Sequence, residues 1–192
     1  MRRVTAYVDG FNLYHAIDDL KKPYLKWLDL HKLAADLCAS NETLIGVHYF
    51  TAYATWLPPQ TIRHREYVKA LRHVGVKCQV GHFKSKARKC RACGITWTQH
   101  EEKESDVAMA VQLVADAFND VFDRALVITA DSDLKPPIRT INAQFPAKAI
   151  NVIAPPGRMA HARDLSPIMQ ITAGRLARAL LPETATDGSG AT

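Results

Sequence analysis

The chain has 192 residues, 47% hydrophobic and 23% charged, a composition that suits one globular domain and excludes disordered, collagen-like and disulfide-scaffold classes. Lys and Arg number 25 against 19 Asp and Glu, for a net charge of +6, which favours a polyanionic partner and is equally compatible with plain solubility. The longest stretch free of Lys, Arg, Asp and Glu, residues 43–62, contains Gly46, His48 and Pro58-Pro59, so no membrane-spanning helix is expected.

In chain order, Met1-Arg2-Arg3 leads directly into a predicted strand at residues 4–8 with no secretory signal core, and a cytoplasmic location is expected. Helical patterns follow at 13–20 and 30–39, a strand at 44–51, a helix at 62–73 and a strand at 76–80. Residues 81–105 break the alternation and read as an insertion forming a hairpin or knuckle. A long helix is predicted at 106–122, with Val107, Val111, Val114, Phe118 and Val121 as its core face. A strand at 125–129, a helix at 134–142 and a strand at 148–153 come next. Residues 154–164 read as a loop, 166–181 as a short strand or turn and a helix bearing Arg175 and Arg178, and 182–192 as a disordered tail. This alternation predicts an α/β fold with a mainly parallel sheet and crossover helices.

Ligands of such sheets bind beyond the carboxyl ends of the strands, where strand order reverses. The first strand ends in Val8-Asp9-Gly10-Phe11-Asn12 and the fourth predicted strand in Thr129-Ala130-Asp131-Ser132-Asp133. If the two are neighbours, Asp9, Asp131 and Asp133 share one edge, and carboxylates so gathered raise one another's pKa unless a cation neutralises them. Hard oxygen donors suit Mg²⁺ or Mn²⁺. Asp106 reads either as a helix-start carboxylate or as a further ligand, and Asp131-Ser132-Asp133 either as a helix cap or as part of the same site.

The segments Tyr7-Val8-Asp9-Gly10-Phe11-Asn12-Leu13, Glu102-Lys103-Glu104-Ser105-Asp106-Val107-Ala108 and Ile128-Thr129-Ala130-Asp131-Ser132-Asp133-Leu134 resemble the three acidic motifs of the NYN domain family, PIN-like nucleases that include LabA-like proteins. The resemblance spans roughly residues 3–155 and implies a three-layer α/β/α fold within residues 1–181 and Mg²⁺- or Mn²⁺-dependent RNA cleavage. It implies that Asp9, Asp106, Asp131 and Asp133 are metal-binding acids and that Asn12 is a polar partner to water, metal or phosphate. Two positions depart from the pattern: Glu104, where a glycine often follows the motif lysine, and Ala130, where a glycine commonly precedes the acid.

The insertion carries Cys90-Arg91-Ala92-Cys93-Gly94, similar to half of a zinc knuckle, with Cys78, His82 and His100 as the nearby residues able to complete four ligands. A structural zinc site, a reduced thiol pair and a redox pair are the three readings. Lys84, Lys86, Arg88, Lys89 and Arg91, with Phe83 before them and Trp97 after, suit phosphate contact and base stacking on RNA, or else a solvated loop. Arg63, Arg65, Lys69 and Arg72 extend that surface or form an exposed polar face. His15, His31, His48, His64, His73 and His161 show no ligand spacing and read as surface or satisfied core residues. Three functions remain open: a metal-dependent ribonuclease, a non-catalytic RNA-binding module, and a metal-dependent enzyme acting on a small molecule such as a phosphate ester.

Overall fold

The computed structural model describes residues 1–182; the disordered tail expected from the sequence falls, beyond Pro182, outside the described residues. Seven strands form one sheet: β1 (Arg2–Asp9), β2 (Glu42–Ala52), β3 (Lys77–Lys89), β4 (Thr96–Lys103), β5 (Arg124–Ile128), β6 (Ala149–Ala154) and β7 (Met169–Gln170). Their spatial order is β4-β3-β2-β1-β5-β6-β7. All neighbours are parallel except β3 and β4. The chain builds outward from β1 through β2 to β3 and β4, then crosses back to add β5, β6 and β7 on the other side. Strand order therefore reverses at β1, and the crevice between the carboxyl ends of β1 and β5 is the switch point.

The helices are α1 (Gly10–Asp19), α2 (Leu30–Ala35), α3 (Pro58–His73), α4 (Ser105–Phe118), α5 (Lys135–Gln144) and α6 (Ala173–Arg178). Side chains alternate across the central strands, and both faces are apolar. Val4, Ala6 and Val8 of β1 with Leu126 and Ile128 of β5 enter one core, against Leu13 and Ile17 of α1, Leu33 of α2 and Leu71 of α3. Tyr7 with Ala125 and Val127 enters the other, against Met109, Leu113 and Ala117 of α4 and Ile141 of α5. A sheet covered on both faces gives the three-layer α/β/α arrangement that the resemblance implies.

Three expectations need correction. The face of α4 that packs on the sheet is not the valine stripe: Val107, Val111 and Phe118 are 67%, 62% and 59% exposed, whereas Met109, Leu113 and Ala117 are fully buried. The helix is apolar on two faces, and the sheet takes the one that also brings Asp116 to the Tyr7 hydroxyl, which donates to it at 2.7 Å. Gln112 donates to the same carboxylate at 2.9 Å. His48 stacks on Tyr7 with ring centroids 5.3 Å apart. It is buried as a core residue, but its Nδ1 has no partner among the described residues. The helix also ends at Phe118 rather than 122, where Asp120 turns the chain with φ 52°.

The segment expected to be inserted is a direct continuation of the sheet. β3 pairs with β2 only through Gly81, then runs on to Lys89 and returns as β4 in an antiparallel hairpin. Gly81 lies at the point of departure, where a Cβ would stand 2.6 Å from the Lys103 carbonyl oxygen. The return strand passes into α4 through Glu104, which adopts φ 80° in the left-handed region. This is one of the two positions that depart from the family pattern, and the geometry gives the reason for glycine there: only glycine holds that conformation without a Cβ clash. Glu104→Gly is therefore expected to stabilise the protein by about 0.5–1 kcal/mol, the clash relieved less the backbone entropy gained on unfolding. Thermal unfolding followed by circular dichroism should show Tm rising by about 1–4 °C; a fall would assign the loop's stability to the contact of Glu104 with His82 (3.2 Å) instead.

Candidate functional site

The site begins with how Asp9 is held. It is the last residue of β1 and the N-cap of α1. Its Oδ1 accepts the Asn12 backbone N–H at 3.0 Å, while Oδ2 accepts Asn12 Nδ2 at 2.7 Å and Thr129 Oγ1 at 2.8 Å. Asn12 Oδ1 in turn accepts the Ala130 N–H at 3.3 Å, so one amide side chain bridges the end of β1 and the loop after β5. Thr129 Oγ1 accepts the Asp131 N–H at 3.0 Å, and Asp131 Oδ1 accepts the Asp133 N–H at 2.9 Å. A continuous chain of hydrogen bonds thus fixes three acids across the switch point. The cap reading of Asp131 is correct locally, and it does not remove Asp131 from the acidic group.

Close backbone approach holds the start of α1 in place. A Cβ on Gly10 would stand 2.5 Å from the Phe50 carbonyl oxygen and 2.8 Å from the Tyr49 ring, so any larger residue would displace the turn that carries Asp9 and Asn12.

Asp106, in the first turn of α4, reaches the same crevice from above the sheet. Its carboxyl is pushed up to about 7, first by burial and then by the negative charges of Asp9, Glu102, Asp131 and Asp133. Burial also raises Asp9, against the lowering effect of its hydrogen bonds, and Asp131 raises it further. All four acids expected from the sequence therefore come within electrostatic reach of one another, and Glu102 of β4 joins them.

Four contributors were not singled out in the sequence. Glu102 belongs to the acidic run before α4, which contains its signal. Thr129 lies inside the third motif. Arg158 and His161 follow β6, and with Asn12, Ala130, Asp131 and Ser132 they line an open depression of about 370 Å³. His161 is exposed, as expected of a surface residue, and the parallel pairing of β5 and β6 puts the loop that carries it beside Asp131. The sequence signal was the general one that loops after parallel strands face the site.

A family model for the NYN domain matches residues 3–165. The chain belongs to the NYN domain family. Its members are nuclease-like, which agrees with acids gathered at the switch point. The NYN domain is also similar to 6-hydroxy-3-succinoylpyridine 3-monooxygenase HspA of Pseudomonas putida (strain DSM 28022 / S16), at 28% identity, with 80% of this chain aligned. The alignment spans 59% of the length of that curated relative. In fold it resembles the crystal structure of a protein of unknown function, VPA0982, from Vibrio parahaemolyticus RIMD 2210633. There the TM-score is 0.59 and the identity 18%, covering 94% of this chain and 96% of that one. Among the described residues of the NYN domain, no helix is long and apolar enough to cross a membrane.

Beside the acids the NYN domain presents the β3–β4 hairpin. One of its faces leans on the domain: His100 stacks on Trp56 with centroids 3.7 Å apart, Phe83 meets Trp56 edge-on at 4.6 Å, and Phe11 of α1 meets Phe83 at 5.4 Å. This aromatic series ends one residue from Asn12. The opposite face carries Lys84, Lys86 and Arg88 across from Glu101, Gln99 and Trp97. Glu101 draws Lys86 (3.0 Å), Arg88 (2.9 Å) and Lys103 (3.2 Å) together, and those cations hold its carboxyl down at about 2. The basic run is thus partly neutralised within the hairpin. Lys84, Lys89 and Arg91 have no ion pair among the described residues, and Trp97 is 49% exposed. Arg63, Arg65, Lys69 and Arg72 lie exposed on α3.

The sequence-derived zinc set is not assembled. Cys90 and Cys93 lie at the hairpin tip, whereas His100 pairs with Ser85, some five residues and about 16 Å down the strands. His82 faces Glu104, and Cys78 is half-buried within the domain, its Sγ directed at the carbonyls of Val68 and Val76. No group of three His, Cys, Asp or Glu side chains among the described residues closes on a single ion.

The crowding of acids has a consequence for stability. Because the folded Asp106 carboxyl titrates near 7 and an ordinary aspartate near 3.9, the folded state binds more protons between those values, and stability falls as pH rises through that window. Asp106→Asn removes the effect. Solvent at this half-exposed carboxyl screens much of the repulsion, leaving about 1–2 kcal/mol. Differential scanning calorimetry should show the variant melting about 2–8 °C above wild type at pH 8, with no difference at pH 4. Equal melting at pH 8 would mean that Asp106 carries no uncompensated charge.

Proposed function

We propose that this NYN domain is a metal-dependent ribonuclease that hydrolyses RNA phosphodiester bonds. The reading rests on one observation: Asp9, Glu102, Asp106, Asp131 and Asp133 crowd the switch point, and burial with mutual repulsion drives the Asp106 carboxyl up to about 7. Such a site gains by taking a cation. Its donors are all hard oxygens, which suits Mg²⁺ or Mn²⁺, and such ions keep several waters and take few carboxylates directly, although no three of the acids among the described residues close on one ion.

Asp9, fixed by Asn12 and Thr129, would be the most rigidly held of the acids that take the ion, with Asp106, Asp131 and Asp133 beside it. A bound ion of this class lowers the pKa of a coordinated water and offsets charge developing on the phosphate. Asn12 is a positioning residue, because its amide ties Asp9 to Ala130. Asp106, set in the first turn of α4 beside the other acids, is placed to orient the attacking water. Arg158, whose guanidinium pairs with Asp19, and His161 line the same depression as Asp131 and would hold the phosphate of the substrate strand, Arg158 by exchanging that carboxylate for it. The aromatic series from Phe11 to Trp56 offers ring faces and edges to bases of a single strand entering from the hairpin side.

A second reading, a small-molecule enzyme, is favoured by the named activity of HspA and by the 370 Å³ depression. A non-catalytic RNA-binding module is the third. Labelled single-stranded and structured RNA incubated with Mg²⁺, Mn²⁺ or EDTA separates them. Cleavage is expected to require the metal and to fall at least about 100-fold in Asp9→Asn and Asp131→Asn. Intact RNA with binding retained in Asp131→Asn would favour the binding module, and turnover of a phosphate ester indifferent to RNA would favour the small-molecule enzyme.

A further inference from the structure

The hairpin tip holds half of a metal site. Cys90 follows the last residue of β3 and Cys93 lies in the turn, half-buried and exposed respectively. Cys90 donates its N–H to the Ile95 carbonyl at 2.8 Å, and the Gly94 N–H donates to the Cys90 carbonyl at 3.0 Å. Gly94 closes the turn with φ 73°. The turn that closes on Cys90 keeps its thiol below the ordinary range, through the neighbouring Cys93 and Ala92 backbone groups, which favours the thiolate that a metal takes. Both sulfurs are on the outer side of the fold, at the end of a hairpin that outruns its pairing with β2 by eight residues, about 25 Å.

Zinc in a structural site takes four ligands in a tetrahedron, and this chain supplies two at the tip. The others are committed elsewhere. His100 is held between Trp56 and Ser85, whose Oγ is 3.0 Å from its Nδ1; His82 is held by Glu104, and Cys78 belongs to the domain core region. We propose that the missing pair comes from a second copy of the chain, with Cys90 and Cys93 of two hairpin tips binding one Zn²⁺ between them.

Charge supports this arrangement. Four thiolates around Zn²⁺ carry a net charge of −2, and each tip brings Lys89 and Arg91, neither ion-paired among the described residues, to balance it. Without metal the same cations repel one another, so the two copies associate only when zinc is present. Binding releases the thiol protons, and the dimer therefore weakens as pH falls. The site lies outside the acidic crevice, and it does not depend on the ribonuclease reading.

The test uses the full chain, reduced, with ZnCl₂ added at half an equivalent per chain. Light scattering is expected to show the mass doubling from 21.3 kDa, with one zinc per two chains by metal analysis. Substitution with Co²⁺ should give the absorption of a tetrahedral tetrathiolate. EDTA should restore the monomer. Cys90→Ser and Cys93→Ser should stay monomeric and bind no zinc while keeping the wild-type circular dichroism spectrum and Tm, since neither side chain enters the core. One zinc per chain on a monomer, no zinc at all, or a dimer that persists in EDTA and in both variants would overturn the proposal.

Discussion

Parallel pairing of β1 with β5 brings Val8 opposite Ile128, so the residues that follow, Asp9 and Thr129-Ala130-Asp131, leave the sheet side by side. The rest of the site depends on this adjacency. It lets one asparagine span the gap and one threonine hydroxyl serve Asp9 and Asp131 together. It also gathers negative charge around the buried Asp9 and the half-buried Asp106, where water disperses it least. The fold tolerates this concentration through hydrogen bonds to Asp9 and through partial protonation of Asp106. Both offset charge that the fold would otherwise carry uncompensated.

The edge of the sheet shows a different use of charge. Glu101 gathers Lys86, Arg88 and Lys103 on the outer hairpin face, which blunts an edge that would otherwise invite pairing with another strand. The inner face is aromatic and docks on Trp56 and Phe11. The hairpin is therefore anchored at its base, beside the acids, and free at its tip, where the two cysteines stand. One element thus joins a ring surface next to the crevice to a cationic, thiol-bearing end far from it.

Much of this was legible in the sequence, for physical reasons that differ by element. The five main strands were visible because β-branched, aliphatic and aromatic runs of strand length alternate with helical patterns. The acids were visible because strand endings fall where a parallel sheet opens its ligand site. The packing face of α4 was not, because the helix has two apolar stripes, and periodicity alone does not choose between Val107, Val111 and Phe118 on one and Met109, Leu113 and Ala117 on the other. The zinc ligands were misplaced because sequence proximity ignores direction. A hairpin separates residues along its axis, so His100 lies far from a cysteine only ten positions earlier. Arg158 and His161 escaped notice because their part in the site comes from strand order, which the sequence does not display.

The central claim, that the crevice carries uncompensated negative charge which a hydrated divalent ion neutralises, is most directly tested by calorimetric titration of the intact chain with Mn²⁺ in buffers of different ionisation enthalpy. Saturable binding is expected, with protons released at pH 6.5 as Asp106 is forced to ionise, little release at pH 9, and no binding in Asp131→Asn. Absence of Mn²⁺ binding, or binding of equal strength in Asp131→Asn, would contradict the account.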